Sequence, residues 1–154
     1  MTELLIQGCS QRKNDPNKPV PPEQLYDGYF FRILEANRSE SGRNIEVVVL
    51  SAKHGFVTQE DRITKYDTQM TQNRATELNS DIVQSFNEYV RDSDFSDVWV
   101  NVGQPYLRAL DGIESGIQAE FHYLQGRLGE RGHHLKRLLQ GDHETVKDEL
   151  SHID

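Results

Sequence analysis

The chain has 154 residues, enough for one compact domain that wraps both faces of a small sheet around a core. Hydrophobic residues make up 35% and charged residues 27%, which excludes a disordered composition. A net charge of -8, from 25 Asp plus Glu against 17 Lys plus Arg, with a pI near 5.2, excludes sequence-blind wrapping of duplex nucleic acid, which depends on many cationic contacts to phosphates. A local basic site stays open.

Cys9 is the only cysteine, so no intramolecular disulfide and no cysteine zinc cluster can form, the pattern of a reducing compartment. Met1-Thr2-Glu3 lacks a basic region followed by an apolar run, and no stretch approaches the length that spans a bilayer. The expectation is one cytoplasmic domain over residues 1–154, without membrane partner, with residues 142–154 as a frayed tail. The oligomeric state is left open.

Leu4-Leu5-Ile6 stops at Gly8 and reads as a first strand placed centrally in a parallel sheet. Residues 9–24 carry Pro16, Pro19, Pro21 and Pro22, which favour an extended, partly polyproline loop. A loop that long without secondary structure is usually functional. From Glu23 onward, Leu25, Tyr29, Ile33 and Leu34 recur at helical spacing until Ser41-Gly42 supplies a stop, predicting one helix of about four turns. Ile45-Glu46-Val47-Val48-Val49-Leu50 predicts a strand covered on both faces.

Residues 51–70 are polar and irregular. Thr71 and Gln72 then open a helix whose buried face is marked by Ala75, Leu78, Ile82, Val83, Phe86 and Val90. Val98-Trp99-Val100-Asn101-Val102 predicts the next strand, ending at Gly103, and Pro105 begins a short helix to Leu110. Ile117 to Leu124 alternates as an edge strand, and Leu135, Leu138 and Leu139 mark a helix starting near Gly132. The order β-α-β-α-β-α-β-α predicts a three-layer α/β/α sandwich on a mainly parallel, four-stranded sheet.

In such a sheet, ligands bind beyond the carboxyl ends of the strands, where loops converge and helix N-termini point free N–H groups. The strand ends supply Gly8, Cys9, Ser10, Gln11, Arg12 and Lys13; then Ser51, Ala52, Lys53, His54 and Gly55. The later ends supply Asn101, Gly103, Gln104 and Tyr106, then Gly126, Arg127, Gly129, Arg131 and Gly132. Glycines permit close backbone approach, and the hydroxyl, amide, imidazole and cationic groups exceed what simple connection requires.

Cys9-Ser10-x-x-Lys13 has two readings: a turn that holds an anion or carries a nucleophilic Lys13 amine, or a packed cysteine beside a solvated lysine. His54, at a strand terminus, is a proton donor or acceptor near neutral pH, with Ser51 orienting a substrate carbonyl; the alternative is a structural histidine beside an exposed Lys53. Asp67 is a candidate to activate water or bind a ribose or base edge, and the alternative is an Asx turn with Tyr66 packed as a lid. Gly126-x-x-Gly129-x-x-Gly132 with Arg127 and Arg131 suits phosphate gripped by helix N–H groups and guanidinium forks, or else is a flexible loop with solvated arginines. It is not a Rossmann fingerprint, which follows the first strand with tighter glycine spacing. His133-His134 diverge on a helix with no carboxylate at useful spacing, so no metal site is predicted, and no cofactor.

Four ordered segments carry a family resemblance: Leu5-Ile6-x-Gly8-Cys9-Ser10-x-x-Lys13, Leu25-Tyr26-x-Gly28-x-Phe30-Phe31, Leu50-Ser51-Ala52-Lys53-His54-Gly55, and Tyr66-Asp67. Together they resemble a small domain of bacteria, archaea and phages related to the YaaA peroxide-stress proteins and the archaeosine synthase core. That resemblance implies a uracil-DNA glycosylase-like fold around a four-stranded parallel sheet. In archaeosine synthase the Cys-Ser-x-x-Lys segment carries a lysine that receives a modified deazaguanine, and Cys9, Ser10 and Lys13 match it. Asn14-Asp15-Pro16 departs from the Ser, Lys and His residues that continue the family's motif, so amidine transfer is not carried over.

The residues and the resemblance lead to a nucleobase- or nucleotide-processing enzyme, an N-glycosidase, other hydrolase or base transferase acting on nucleic acid or nucleotides. Asp67 or His54 activates water or relays a proton, Lys13 and Ser10 contact base or sugar, and Arg127 with Arg131 holds phosphate. The alternative is a non-catalytic nucleotide or single-stranded nucleic-acid sensor in stress response or phage defence. A third reading is a protein-interaction domain with solvated polar loops.

Overall fold

The structure, a computed structural model, describes residues 2–38 and 44–151. Five strands, β1 (Thr2–Gly8), β2 (Asn44–Ser51), β3 (Gly55–Val57), β4 (Asp97–Asn101) and β5 (Glu120–Tyr123), form one sheet in the order β3-β2-β1-β4-β5. The β2-β1-β4-β5 neighbours are parallel, and β3 pairs antiparallel with β2. The central place of β1 and the edge place of β5 agree with the sequence pattern.

The sheet has five strands where the sequence predicts four. The additional one, β3, is Gly55-Phe56-Val57, too short to show a period of two inside a polar stretch. It follows a tight turn that Gly55 permits with a φ of +72°.

Alternation along the inner strands sends side chains to both faces, each covered by helices. Leu4, Ile6, Val48, Leu50, Val98 and Val100 pack with Ala75, Leu78, Ile82, Phe86 and Val90 of α3 (Gln72–Val90). Leu5, Val47, Val49 and Trp99 pack on the opposite face, against α2 (Tyr29–Asn37), α5 (Leu128–Leu139) and α6 (His143–Ser151). The inner strands are buried on both sides, which is why they read as nearly unbroken apolar runs.

The predicted helix from Glu23 is two helices, α1 (Pro22–Leu25) and α2. Tyr26 between them is extended and bridges Lys13, and Gly28 passes so close to the loop after β1 that a Cβ there would lie 2.5 Å from Ser10 Cβ. The expected stop at Ser41-Gly42 lies outside the described residues. Helix α3 begins where expected, capped by the Thr71 hydroxyl accepting from the Arg74 N–H at 3.1 Å. Val83 is half-buried at the margin of that helix's apolar face.

Helix α4 (Gln104–Ala109) carries Pro105 in its first turn, and a 3-10 turn (Ile113–Gly116) leads towards β5. Helix α5 starts at Leu128, four residues before the predicted Gly132, because the Glu130 carboxylate accepts the Arg127 N–H and closes its first turn. The predicted frayed tail is instead helix α6 over His143–Ser151; residues 152–154 lie outside the described residues. His143 and Val146 are buried, and His143 Nδ1 lies 2.7 Å from Glu3 Oε2 on β1. Among the described residues no helix is long and apolar enough to cross a membrane.

Candidate functional site

The loop after β1 is pinned along its length. The Cys9 N–H donates to Leu50 O at 3.0 Å, Asp27 N donates to Arg12 O, and Asn14 N donates to Leu25 O. Val20 and Ile63 exchange backbone bonds at 3.0 and 2.8 Å, so the proline-rich path is tied to the segment that leads to Tyr66. These ties bring the first and third resemblance segments together.

Cys9, Ser10, Gln11 and Lys13 line one side of a cavity of about 220 Å³, Asp67 to Met70 line another, and Tyr106 of α4 closes it. Cys9 Sγ lies 3.1 Å from Tyr106 Oη. Lys13 Nζ stands 4.4 Å from the Tyr66 ring centroid and 5.8 Å from that of Tyr26, and donates to Gln11 O at 3.3 Å. Burial lowers the Lys13 amine from the usual lysine value, opposed by nearby Cys9 and Asp67. Asp67 is exposed at the cavity's rim.

Beneath Lys13 lies a buried hydroxyl cluster. Ser51 Oγ donates to Tyr66 Oη at 2.8 Å, Tyr26 Oη and Tyr66 Oη are 2.6 Å apart, and Ser51 Oγ accepts the N–H groups of Lys53 and His54 at 3.2 and 3.0 Å. Burial pushes the Tyr66 and Tyr106 hydroxyls far up, with nearby Cys9 adding to both, and pushes Tyr26 up to about 12. These phenols stay neutral. Ser51 is fully buried and props Tyr66, away from the position expected for a substrate contact. His54 packs edge-on against Tyr66 with ring centroids 5.4 Å apart, outside the cavity lining, and burial followed by the Lys53 charge lowers its pKa. Lys53 is exposed, its carbonyl bound by Arg74 at 2.9 Å.

A second hollow, of about 470 Å³, opens beside the ends of β4 and β5. Gly103 at the start of α4, Gln104 and Leu107 within it, Tyr123 at the end of β5, Gly126 beyond that strand, and Arg131 of α5 line it. The first turn of α4 thus divides the two spaces, with Tyr106 on one side and Gln104 with Leu107 on the other. Asn101 is fully buried: its Nδ2 donates to Gln7 Oε1 at 2.9 Å and its Oδ1 accepts from Arg131 Nε at 2.9 Å. Burial lowers the Arg131 pKa from the usual arginine value. Gly8 is buried at the end of β1, and Arg127 is exposed at the start of α5, lining neither space.

The structure therefore gathers Cys9, Ser10, Lys13, Asp67 and Tyr106 at one cavity, and Gly103, Gly126 and Arg131 at its neighbour. It adds Tyr26, Gln7, Phe30 and Arg74, which sequence reading did not single out as site residues. Tyr26 and Phe30 stood in the second resemblance segment, but nothing in a run of core-like aromatics showed that one lies under an amine and the other under a guanidinium. The expected lack of a carboxylate near His133-His134 is corrected, because Glu149 of α6 lies 2.8 Å from His134 Nε2 and 3.9 Å from His133 Nε2. Asp97, Glu120 and His122 bring ligand atoms within 4.8 Å of one another near the opposite ends of β4 and β5. Lys147 Nζ lies 3.1 Å from Asp97 Oδ1, so a lysine supplies the cation in that cluster.

A family model matches residues 4–137, from β1 through most of α5. The chain belongs to DUF6884, a family of unknown function. This DUF6884 chain is similar to a solved crystal structure, that of AF0587, a protein of unknown function, with a TM-score of 0.50 and 16% identity. The alignment covers 99% of this chain and 45% of that one, so the DUF6884 chain spans less than half the length of AF0587. At that identity the likeness shows the α/β fold alone. No curated protein matches the chain.

Proposed function

We propose that the chain is a nucleobase- or nucleotide-processing enzyme acting at the bond between a base and its sugar, or on the base itself. The observation that carries this reading is the meeting of Lys13, Asp67, Cys9 and Tyr106, from three separate segments, at the carboxyl end of the central strand. Their cavity of about 220 Å³ falls below the ~300 Å³ at which drug-sized pockets begin, so it suits one ring system. In hydrolysis, Asp67 takes a proton from water as the water oxygen bonds to the sugar carbon. The glycosidic electron pair leaves with the base, and the Lys13 ammonium, made more acidic by burial, returns a proton to it. Phosphate falls to Arg131 of α5, which lines the neighbouring hollow. The glycosylase-like fold and the relation to the YaaA proteins are part of this proposal and rest on the four resemblance segments; the structure supplies a mostly parallel five-stranded α/β sheet with helices on both faces.

The test incubates the protein with nucleosides, nucleotides and modified DNAs and looks for a released or altered base by mass spectrometry. Asp67→Asn and Lys13→Gln are each expected to slow turnover by about 100-fold or more. No altered base from any substrate would overturn the proposal.

The second reading, a non-catalytic nucleotide or single-stranded nucleic-acid sensor, is favoured by the internal use of two site hydroxyls. Ser10 Oγ donates to Arg12 O at 2.6 Å and Ser51 Oγ to Tyr66. Nucleotide binding that survives in Asp67→Asn, with no turnover in the unaltered protein, selects it.

A further inference from the structure

Arg131 sits on the wall of the second hollow in an unusual electrostatic position. It is half-buried, its guanidinium carbon lies 4.8 Å from the Phe30 ring centroid, and its Nε donates to Asn101 Oδ1. Among the described residues no carboxylate pairs with it, whereas Arg12, Arg32 and Arg74 are engaged and Arg127 is exposed to water. Arg12 and Arg32 both pair with Asp27 at 3.3 Å, and Arg74 donates to the carbonyls of Ala52 and Lys53 at 2.8 and 2.9 Å. A charge withdrawn from water without a counter-ion costs free energy unless a partner arrives.

The support behind Arg131 is more elaborate than packing needs. Gln7 and Asn101 are register partners on β1 and β4, both almost fully buried, where the next pair on the same face is the apolar Leu5 and Trp99. Their amides form a chain: Gln7 Nε2 donates to Gly8 O, Asn101 Nδ2 donates to Gln7 Oε1, and Asn101 Oδ1 fixes one edge of the guanidinium. The chain orders the amide of Asn101 so that its oxygen faces the arginine. Phe30 fixes the plane, and among the described residues the remaining N–H groups have no partner and are left to bind. A planar fork held in this way suits a carboxylate or phosphoryl group bidentately.

We infer that Arg131, positioned by Gln7 and Asn101, is the anion-binding residue of a second subsite, which takes one phosphoryl group of a small free ligand whose ring enters the Cys9–Lys13 cavity across the α4 partition. The nature of the ring rests on the nucleotide reading above. A free mononucleotide is favoured over a strand because a polyanion needs a track of cations, while the chain carries a net charge of -8 and Arg12 and Arg32 are both paired with Asp27.

The test measures binding of 5′-mononucleotides, the matching nucleosides, inorganic phosphate, ribose 5-phosphate and a ten-base oligonucleotide by calorimetry, following the Arg131 Nε resonance. Mononucleotides are expected to bind about tenfold or more tightly than their nucleosides and to shift that resonance. Arg131→Gln removes the difference without changing nucleoside binding. Asn101→Asp, which keeps the shape but gives Arg131 an internal carboxylate, lowers mononucleotide affinity about tenfold, and the exposed Lys136→Gln leaves it unchanged. The Asn101 variant keeps the test decisive if Arg131→Gln fails to fold. Equal binding of nucleosides and mononucleotides, with Arg131→Gln silent, overturns this inference and leaves the base-processing reading standing. Oligonucleotide binding that exceeds the mononucleotide's and falls with salt at about -0.7 per phosphate over several phosphates also overturns it. Ribose 5-phosphate or inorganic phosphate bound through Arg131 as tightly as the nucleotides supports the subsite and counts against the base.

Discussion

Tyr66→Phe tests whether the hydroxyl cluster under Lys13 holds the site in place. The substitution keeps the ring, and so keeps the face on which Lys13 Nζ rests 4.4 Å from the centroid. It removes the oxygen that accepts from Ser51 at 2.8 Å and meets Tyr26 Oη at 2.6 Å. Two buried hydroxyls lose a partner, at about 1–3 kcal/mol for each group left unsatisfied. The Ser51 loss sits at the low end, because its oxygen still accepts from Lys53 and His54. A total of about 3 kcal/mol lowers Tm by roughly 6–12 °C in a domain of this size. Adding Tyr26→Phe takes away the second stranded hydroxyl, so the double variant is expected to regain about 1 kcal/mol over Tyr66→Phe alone. Urea unfolding of both single variants and the double gives the coupling. A Tyr26→Phe cost that simply adds to that of Tyr66→Phe would show that the two phenols are independent and refute the reasoning.

Three further outcomes follow from particular contacts. Thr71→Ala removes the cap of the 19-residue α3 and is expected to cost about 1 kcal/mol by denaturant unfolding, with Thr71→Ser restoring most of it. Gly28→Ala drives a Cβ to within 2.5 Å of Ser10 Cβ, so it lowers Tm and increases amide exchange through residues 9–14, the loop that carries Lys13. Burial raises the Glu3 carboxyl, but the hydrogen bond and charge of His143, with the Trp99 bond, outweigh it and hold Glu3 below 4.5. The stabilisation is complete above that value and is lost as pH falls through the lower folded value, so the urea midpoint drops as pH is taken below 4.5, and Glu3→Gln flattens the drop.

What was legible in the sequence is what hydrophobic period encodes. β1, β2 and β4 are runs buried on both faces, α3 shows its apolar stripe, and Pro105 marks the first turn of α4. The gap at β3 has the opposite cause: three residues cannot display a period, and their pairing is fixed by β2 rather than by their own pattern. The α1–α2 break at Tyr26 to Gly28 is a tertiary demand, made by the Ser10 loop crossing there. Helix α6 escaped because its anchors, His143 and Lys147, read as solvated charge until β1 and β4 supply Glu3 and Asp97. Strand ends were a sound guide to where polar groups gather, but not to which are free. Ser51 and Asn101 stand at strand ends and are consumed in holding Tyr66 and Arg131.

That consumption sharpens the chemistry. A polar side chain at a strand end can face a ligand or support one that does, and burial separates the two: Ser51, Asn101 and Gln7 are shut away from solvent, while Lys13, Asp67 and Arg131 keep at least one side open. The two open cations each lean on a closed group or on an aromatic neighbour. Lys13 lies over the Tyr66 that Ser51 braces, and Arg131 lies over Phe30 with Asn101 at its edge. The two cationic groups are thereby fixed on opposite sides of the α4 turn, one with a carboxylate at its cavity and one without. Such an asymmetry suits a ligand that is anionic at one end and neutral at the other. It accounts for why Lys13 and Arg131, and not the exposed Lys53 or Arg127, are the cations worth substituting first.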